Sequence, residues 1–179
     1  MFCNAEYPSP IGTLTLVCDG EGEALVGLWL EGQKYFMASL PELPRRGEDK
    51  PVLLQAKEWL DRYFAGERPE ISELRLTPLG GAFRQGVWEI LKAIPYGEVT
   101  TYGEVGRKLA GERGLACVSA RAVGGAVGHN PISILIPCHR VVGADGGLTG
   151  YAGGLEKKIW LLKHEGVDIT RLCMPNGGG

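Results

Sequence analysis

A proline- and glycine-rich stretch at residues 66–82 separates two parts of this chain that differ in charge and composition. It contains three glycines and two prolines: Gly66, Pro69, Pro78, Gly80 and Gly81. Up to residue 82 the chain carries 8 Lys+Arg and 13 Asp+Glu, whereas from residue 83 onward it carries 11 and 8. Of the 28 glycines, 21 lie from Gly80 onward. A length of 179 residues allows one domain or two small ones, and we expect two, at residues 1–80 and 81–179, with residues 66–82 as the linker.

The first part has the pattern of a small antiparallel sheet. Turn-forming residues at 7–12 and 19–22 flank alternating apolar segments at 13–18 and 24–30, which predicts a three-stranded meander. From Pro51 to Phe64 the apolar residues recur at helical spacing. We therefore expect an α+β fold whose N-terminal domain combines this sheet with one helix.

The second part is predicted to be mostly helical. Apolar spacing predicts helices over 83–94, from Tyr102, over 119–128 and over 155–163. Two short helices joined by a Gly-bearing connection are a helix-turn-helix candidate, although many such pairs never contact DNA. The helix from Ser119 to Gly128 has few bulky side chains and one long cation, Arg121. Its smooth surface indicates either tight helix packing or close approach of a bulky partner such as a nucleic-acid groove.

Composition excludes several classes of protein. With 44% hydrophobic and 22% charged residues, the chain is neither disordered nor membrane-spanning. Residues 1–20 lack the pattern of a signal peptide. Five cysteines at irregular spacing argue against a disulfide framework: Cys3, Cys18, Cys117, Cys138 and Cys173. We expect a cytoplasmic protein that does not bind membranes.

Cys138 is the residue best placed for chemistry. The β-branched segment 132–136 predicts a strand that ends at Pro137, and His139 follows the cysteine directly. A histidine and a nearby cation favour the reactive thiolate, and Glu165 could orient an imidazole, as in activated thiol nucleophiles. A buried structural cysteine and a thiol hydrolase are the competing interpretations. A zinc site is disfavoured because no second Cys/His pair has ligand spacing.

The segments around Cys138 resemble one family. Residues 121–126, Asn130-Pro131, 134–142, 151–154 and 164–166 resemble the O6-alkylguanine-DNA alkyltransferases, also called methylated-DNA–protein-cysteine methyltransferases. Ser9-Pro-Ile-Gly12 and 97–102 match as well, so the resemblance covers most of the chain. It implies a ribonuclease H-like N-terminal domain, followed by a winged-helix-like domain with a helix-turn-helix.

The implied activity is direct DNA repair. A monomer would bind duplex DNA through the minor groove and flip an O6-alkylguanine out of the stack. It would then transfer the alkyl group once to its own cysteine. O4-alkylthymine would be a second substrate. No cofactor and no metal are expected, since Cys3 and Cys18 do not fall on the zinc positions of some relatives.

The resemblance also assigns residue roles. Cys138 is the acceptor, His139 removes its proton through a water, Glu165 orients His139, and Asn130 shapes the turn. Tyr102 helps to rotate the nucleotide and protonates guanine N3. The DNA-binding set is Arg121, which fills the vacated space, with Tyr102, Ala122 and Gly125. The substrate pocket is formed by Val141, Tyr151, Ala152 and Gly153.

Two departures from the family stand out. The connection between Tyr102 and Arg121 is longer and contains Cys117, and Ser133 replaces a pocket proline of some members. The alternative from another functional class is a non-catalytic binder of alkyl lesions. That branch carries tryptophan in place of the cysteine, so Cys138 disfavours it.

Overall fold

The computed structural model describes residues 1–148 and 151–172. The chain forms two compact units. The first comprises Met1–Gly80 and Pro131–Leu135, and the second comprises Gly81–Asn130 and the chain from Ile136 onward. Cys173 and the C-terminal glycines lie outside the described residues. Within the described part, no helix is both long and apolar enough to cross a membrane.

The first unit is built on a four-stranded sheet whose neighbouring strands are, in order, Leu25–Leu30, Gly12–Asp19, Phe2–Ser9 and Arg45–Arg46. Strands β1 (Phe2–Ser9), β2 (Gly12–Asp19) and β3 (Leu25–Leu30) form the antiparallel meander that the alternating pattern predicts. The short β4 (Arg45–Arg46) adds to β1 in parallel. Gly12 closes the first hairpin at φ +106°, a conformation that side chains disfavour. The predicted meander is confirmed, with β4 as an addition.

Helix α1 (Pro51–Phe64) has the bounds that the apolar spacing predicts. Proline at its first position suits a helix start, because the missing N–H would have no helical partner there. Its buried face contributes six side chains to the core of this unit: Val52, Leu53, Ala56, Trp59, Leu60 and Tyr63.

Part of the predicted linker at residues 66–82 is ordered against the first unit. A 3₁₀ turn forms at Ile71–Glu73. Beyond it, Leu25 N donates to Arg75 O and Thr77 N donates to Leu25 O. Residues 75–77 therefore pair with the open edge of β3, where the sheet supplies backbone partners that local composition does not reveal.

The predicted strand over 132–136 is wrong. Only Ile132 forms a bridge, to Leu28 of β3. Ile134 then adopts φ +71°, which is incompatible with an extended strand, and Leu135 N donates to Ser133 O in a three-residue turn. These residues are apolar and β-branched because they are buried, and not because they pair as a strand in a sheet.

The second unit contains the remaining helices: α2 (Ala82–Lys92), α3 (Tyr102–Arg113), α4 (Ala120–Gly128) and α5 (Leu155–His164). Thr101 caps α3 by accepting a hydrogen bond from Glu104 N, and Ser119 caps α4 by accepting one from Ala122 N. Each cap supplies an acceptor for an amide that has no partner within its own helix. At Gly106, α3 lies close to the connection before α4, where a β-carbon would lie 2.7 Å from Val118 O and 3.5 Å from Val123 Cγ2 of α4.

Two short parallel strands bring distant parts of the second unit together. β5 (Thr100–Thr101) pairs with β6 (Val141–Val142). Since β5 runs directly into Tyr102 of α3, and β6 follows Cys138–Arg140, this pairing places the start of α3 beside the segment that carries Cys138.

Candidate active site

Cys138 lies in a tightly folded turn of the second unit. Pro137 has φ −80° and ψ 67°, and Cys138 N donates to Ile136 O across it at 2.8 Å. Residues Cys138–Arg140 then form one 3₁₀ turn. The cysteine is 4% exposed, so only a group that enters the protein can reach its Sγ.

Asn130 anchors the approach to this turn. Its buried side-chain Nδ2 donates to Ile136 O at 2.8 Å. The bond joins the end of the α4 segment to the residue two positions before Cys138. This geometry supports the predicted turn-shaping role of Asn130.

His139 and Glu165 form a fully buried pair. His139 Nε2 lies 2.7 Å from Glu165 Oε2, and both side chains are 0% exposed. Because an ionised carboxylate only accepts hydrogen bonds, Nε2 carries the proton and Nδ1 is left as an acceptor. Within residues 1–148 and 151–172, Nδ1 has no hydrogen-bond partner. Burial lowers the pKa of His139, against the opposing effect of Glu165, so the imidazole is neutral and able to take up a proton.

Arg140 holds the other side of the Glu165 carboxylate. Its Nε donates to Oε1 at 2.7 Å and its Nη2 donates to Oε2 at 3.0 Å. Its Nη1 donates to Ile94 O at 2.6 Å. Burial alone would raise the pKa of Glu165, but the interactions with His139 and Arg140 outweigh it and hold that pKa well below its usual range. Glu165 therefore stays charged and orients the imidazole.

Lys158 is a second cation that the sequence analysis missed. It is fully buried in α5, and its Nζ donates to Val141 O at 2.7 Å. Burial lowers its pKa to about 8, whereas the nearby Cys138 acts in the opposite direction. A signal was present, because Lys158 occupies the apolar stripe between Leu155 and Leu162, where a solvent-exposed lysine would not be placed.

Two tyrosines lie near the cysteine. Burial, and then the proximity of Cys138, raise the pKa of Tyr102 at the first turn of α3. The same two causes, together with Glu165, raise the pKa of Tyr151. Both phenols therefore remain protonated and can donate. The Tyr151 hydroxyl is buried and has no hydrogen-bond partner among the described residues.

Comparisons with known proteins agree with this arrangement. Residues 82–167 match the model of the 6-O-methylguanine DNA methyltransferase DNA-binding domain, and residues 4–78 match that of its ribonuclease-like domain. A methylated-DNA–protein-cysteine methyltransferase of Haemophilus influenzae is 43% identical over 161 residues, which are 90% of this chain and 84% of the relative. The chain belongs to the O6-methylguanine DNA methyltransferase family.

Solved structures show the same likeness to methyltransferases. The O6-methylguanine methyltransferase of Mycobacterium tuberculosis has a TM-score of 0.75 and 42% identity, covering 92% of this chain and 93% of its own. An M. tuberculosis OGT structure in complex with DNA has a TM-score of 0.73 at 42% identity, covering 96% of this chain and 94% of its own. The predicted α+β fold class and the resemblance are both confirmed.

The other predicted site residues of this methyltransferase lie in two places. Val141 is buried in β6, and Ala152 and Gly153 precede α5, near residues 149–150, which are outside the described part. Arg121, Ala122 and Gly125 are exposed on α4 instead. The structure thus buries Cys138, His139 and Glu165, and leaves the three predicted DNA-binding residues of α4 on the surface, whereas Tyr102 is half-buried. Within the described residues, no group of three or more His, Cys, Asp or Glu side chains could hold a metal ion.

Proposed function

We propose that the protein repairs DNA by transferring the alkyl group of O6-alkylguanine to Cys138. The observation that carries this proposal is the chain of buried contacts from His139 through Glu165 to Arg140, beside a cysteine. These contacts orient a neutral base on the residue that directly follows the thiol. Direct alkyl transfer is also the activity named for relatives that are about 42–45% identical.

The proposed reaction is a single displacement. His139 accepts the thiol proton through a water at Nδ1, while Glu165 stabilises the imidazolium that results. The thiolate attacks the alkyl carbon, so that a C–S bond forms as the C–O6 bond breaks. The electron pair passes into the purine, and the Tyr102 hydroxyl protonates N3 of the departing guanine. Lys158 and Arg140 add positive charge that favours the thiolate.

DNA would bind on the face of α4. We propose that α3 and α4 act as a helix-turn-helix, with Ala122 and Gly125 allowing close approach to the minor groove. Arg121 is exposed and, among the described residues, forms no ion pair, so it is available to fill the space left by a flipped base. Base flipping is required because the reactive carbon is inaccessible within the stack.

The flipped base would lie in a pocket formed by Val141, Tyr151, Ala152 and Gly153. Backbone groups there would recognise the edges of guanine, with Tyr151 as a wall. O4-alkylthymine presents an alkyl–oxygen bond of the same kind, and we propose it as a second substrate. We assign residues 1–80 to the ribonuclease-like domain and 81–179 to DNA binding and alkyl transfer, in a cytoplasmic monomer without cofactor or metal.

Mass spectrometry of the intact protein tests this function. After incubation with excess duplex DNA containing O6-methylguanine, the chain should gain one methyl group, on Cys138. A thioether is not displaced by water, so transfer should stop there. The control Cys138→Ala should gain none and still bind the DNA. Binding without methyl uptake by the parent would identify a lesion binder instead, and repeated turnover would identify a hydrolase.

A further inference from the structure

The chain makes a short excursion just before the reactive turn. After Asn130 it leaves the second unit, contributes residues 131–135 to the first unit, and returns at Ile136. The hydrogen bond from Asn130 Nδ2 to Ile136 O closes the base of this excursion. Cys138 follows two residues later, so the path of residues 131–135 determines where the turn with Pro137 begins.

The excursion is held to the first unit by backbone and side-chain contacts. Leu28 N donates to Pro131 O at 2.8 Å, and Ser133 N donates to Leu28 O at 2.9 Å. Gln33 adds a side-chain bond, because its Oε1 accepts from Ser133 Oγ at 3.1 Å and from Leu30 N at 2.9 Å. Gln33 is 6% exposed and Ser133 is 1% exposed. A buried hydrogen bond of this kind fixes position, since either partner left alone is costly.

The residue after Ser133 explains why such an attachment is needed. Ile134 is β-branched and adopts φ +71°, a conformation that persists only where the surrounding structure holds it. The contacts from Gln33 and Leu28 fix the chain on one side of Ile134, and the bond from Asn130 fixes it on the other side. Loss of either attachment would let residues 131–136 relax toward an unstrained path.

We propose that Gln33 is a positioning residue for alkyl transfer, which acts through Ser133 to hold the segment that leads into Cys138. This inference rests on the proposed function. Gln33 hydrogen-bonds to Ser133 and Leu30, and its effect on Cys138 passes along the chain. It keeps residues 131–135 in the one conformation from which Ile136, Pro137 and Cys138 form the reactive turn. The first unit thereby takes part in the reaction through chain continuity.

The experiment compares Gln33→Met, Ser133→Ala and the double variant with the parent. Methionine keeps the length of glutamine but removes the acceptor. Single-turnover methyl transfer is measured at saturating duplex DNA containing O6-methylguanine, at a temperature where every variant is folded. If only about a tenth of the molecules keep the competent path, the rate falls about tenfold. The affinity for DNA should not change.

Two further measurements separate positioning from general loss of structure. Because both single variants break the same bond, the double variant should react no more slowly than the slower single variant. The amides of Ser133, Leu135 and Cys138 should also exchange hydrogen faster in all three variants. As a matched control, Trp59→Phe removes a different hydrogen bond of the first unit, from Nε1 to Glu70 O, and should react at the parent rate.

The outcomes that overturn the inference are distinct. Gln33→Met reacting within twofold of the parent, or Trp59→Phe slowing equally, would leave Gln33 with a structural role only. The inference would also be refuted if the double variant lost as much rate as the product of the two single losses, because the two side chains would then act separately. A parent protein that takes up no methyl group would refute the proposed function itself, and the inference with it.

Discussion

Replacing Arg140 with methionine tests how much the stability of the folded protein depends on the cation that pairs with the buried carboxylate of Glu165. Arg140 donates two charge-assisted hydrogen bonds to Glu165 and a third to Ile94 O. Removing one partner of a buried pair typically costs about 3–5 kcal/mol, because the other charge stays buried without compensation. That is roughly 30–50% of the unfolding free energy of a small domain with a stability of about 10 kcal/mol. We expect Arg140→Met to lower the free energy of unfolding at pH 7 by this amount.

Urea unfolding of four proteins provides the assay. The double variant Arg140→Met/Glu165→Gln should recover part of the loss, because it leaves no uncompensated carboxylate. Arg171→Met is the control, since the ion pair that Arg171 forms with Asp168 among the described residues is exposed, and it should leave the urea midpoint unchanged. An Arg140→Met protein within about 1 kcal/mol of the parent, or a double variant no more stable than Arg140→Met, would refute the reasoning.

The pH dependence of this loss has a defined sign. The folded pKa of Glu165 lies below that of an unfolded glutamate, which is about 4.3. Its stabilising contribution is therefore present above about pH 4.3 and is lost as the pH falls through the folded pKa. The difference between the parent and Arg140→Met should be largest near pH 7 and should narrow below about pH 4.

Three other variants address the base and the DNA contact. Glu165→Gln should slow methyl transfer about 10²–10⁴-fold in single-turnover assays, with little change in DNA affinity; an unchanged rate at neutral pH would leave Glu165 a structural residue. Arg121→Ala should repair duplex DNA much more slowly at saturation yet react normally with a free O6-alkylguanine base, and an equal duplex rate would remove it from base flipping. Because burial lowers the pKa of His139, the parent should lose stability as the pH falls below about 6.5. Urea unfolding at several pH values between 5 and 8 should show a smaller loss of stability for His139→Gln than for the parent. If the free energy of unfolding fell with pH equally in both proteins, the lowered pKa of His139 would be refuted.

Local sequence determined the helices and the antiparallel meander of this protein. The limits of α1 at Pro51 and Phe64 follow from apolar spacing, a proline start and Gly66 beyond the end. The starts of α3 and α4 follow from Thr101 and Ser119, whose side chains bond to amides three residues ahead. These features depend on neighbours within one or two turns, so the sequence carries them directly. The reactive Cys138 was also recognisable, since Pro137 and His139 adjoin it.

Tertiary structure decided the contacts between distant residues. Apolar residues 132–136 predicted a strand, but this segment forms one bridge to β3, through Ile132, before Ile134 reverses the chain. Lys158 lies in the apolar stripe of α5, but the acceptor of its Nζ, Val141 O, is on a segment 17 residues away. Each outcome depends on which backbone groups of a distant segment come within hydrogen-bond range. The residue types along the chain do not specify which distant groups these are. The sequence thus specified the reactive groups, whereas the packing of separate segments set their charge states and orientation.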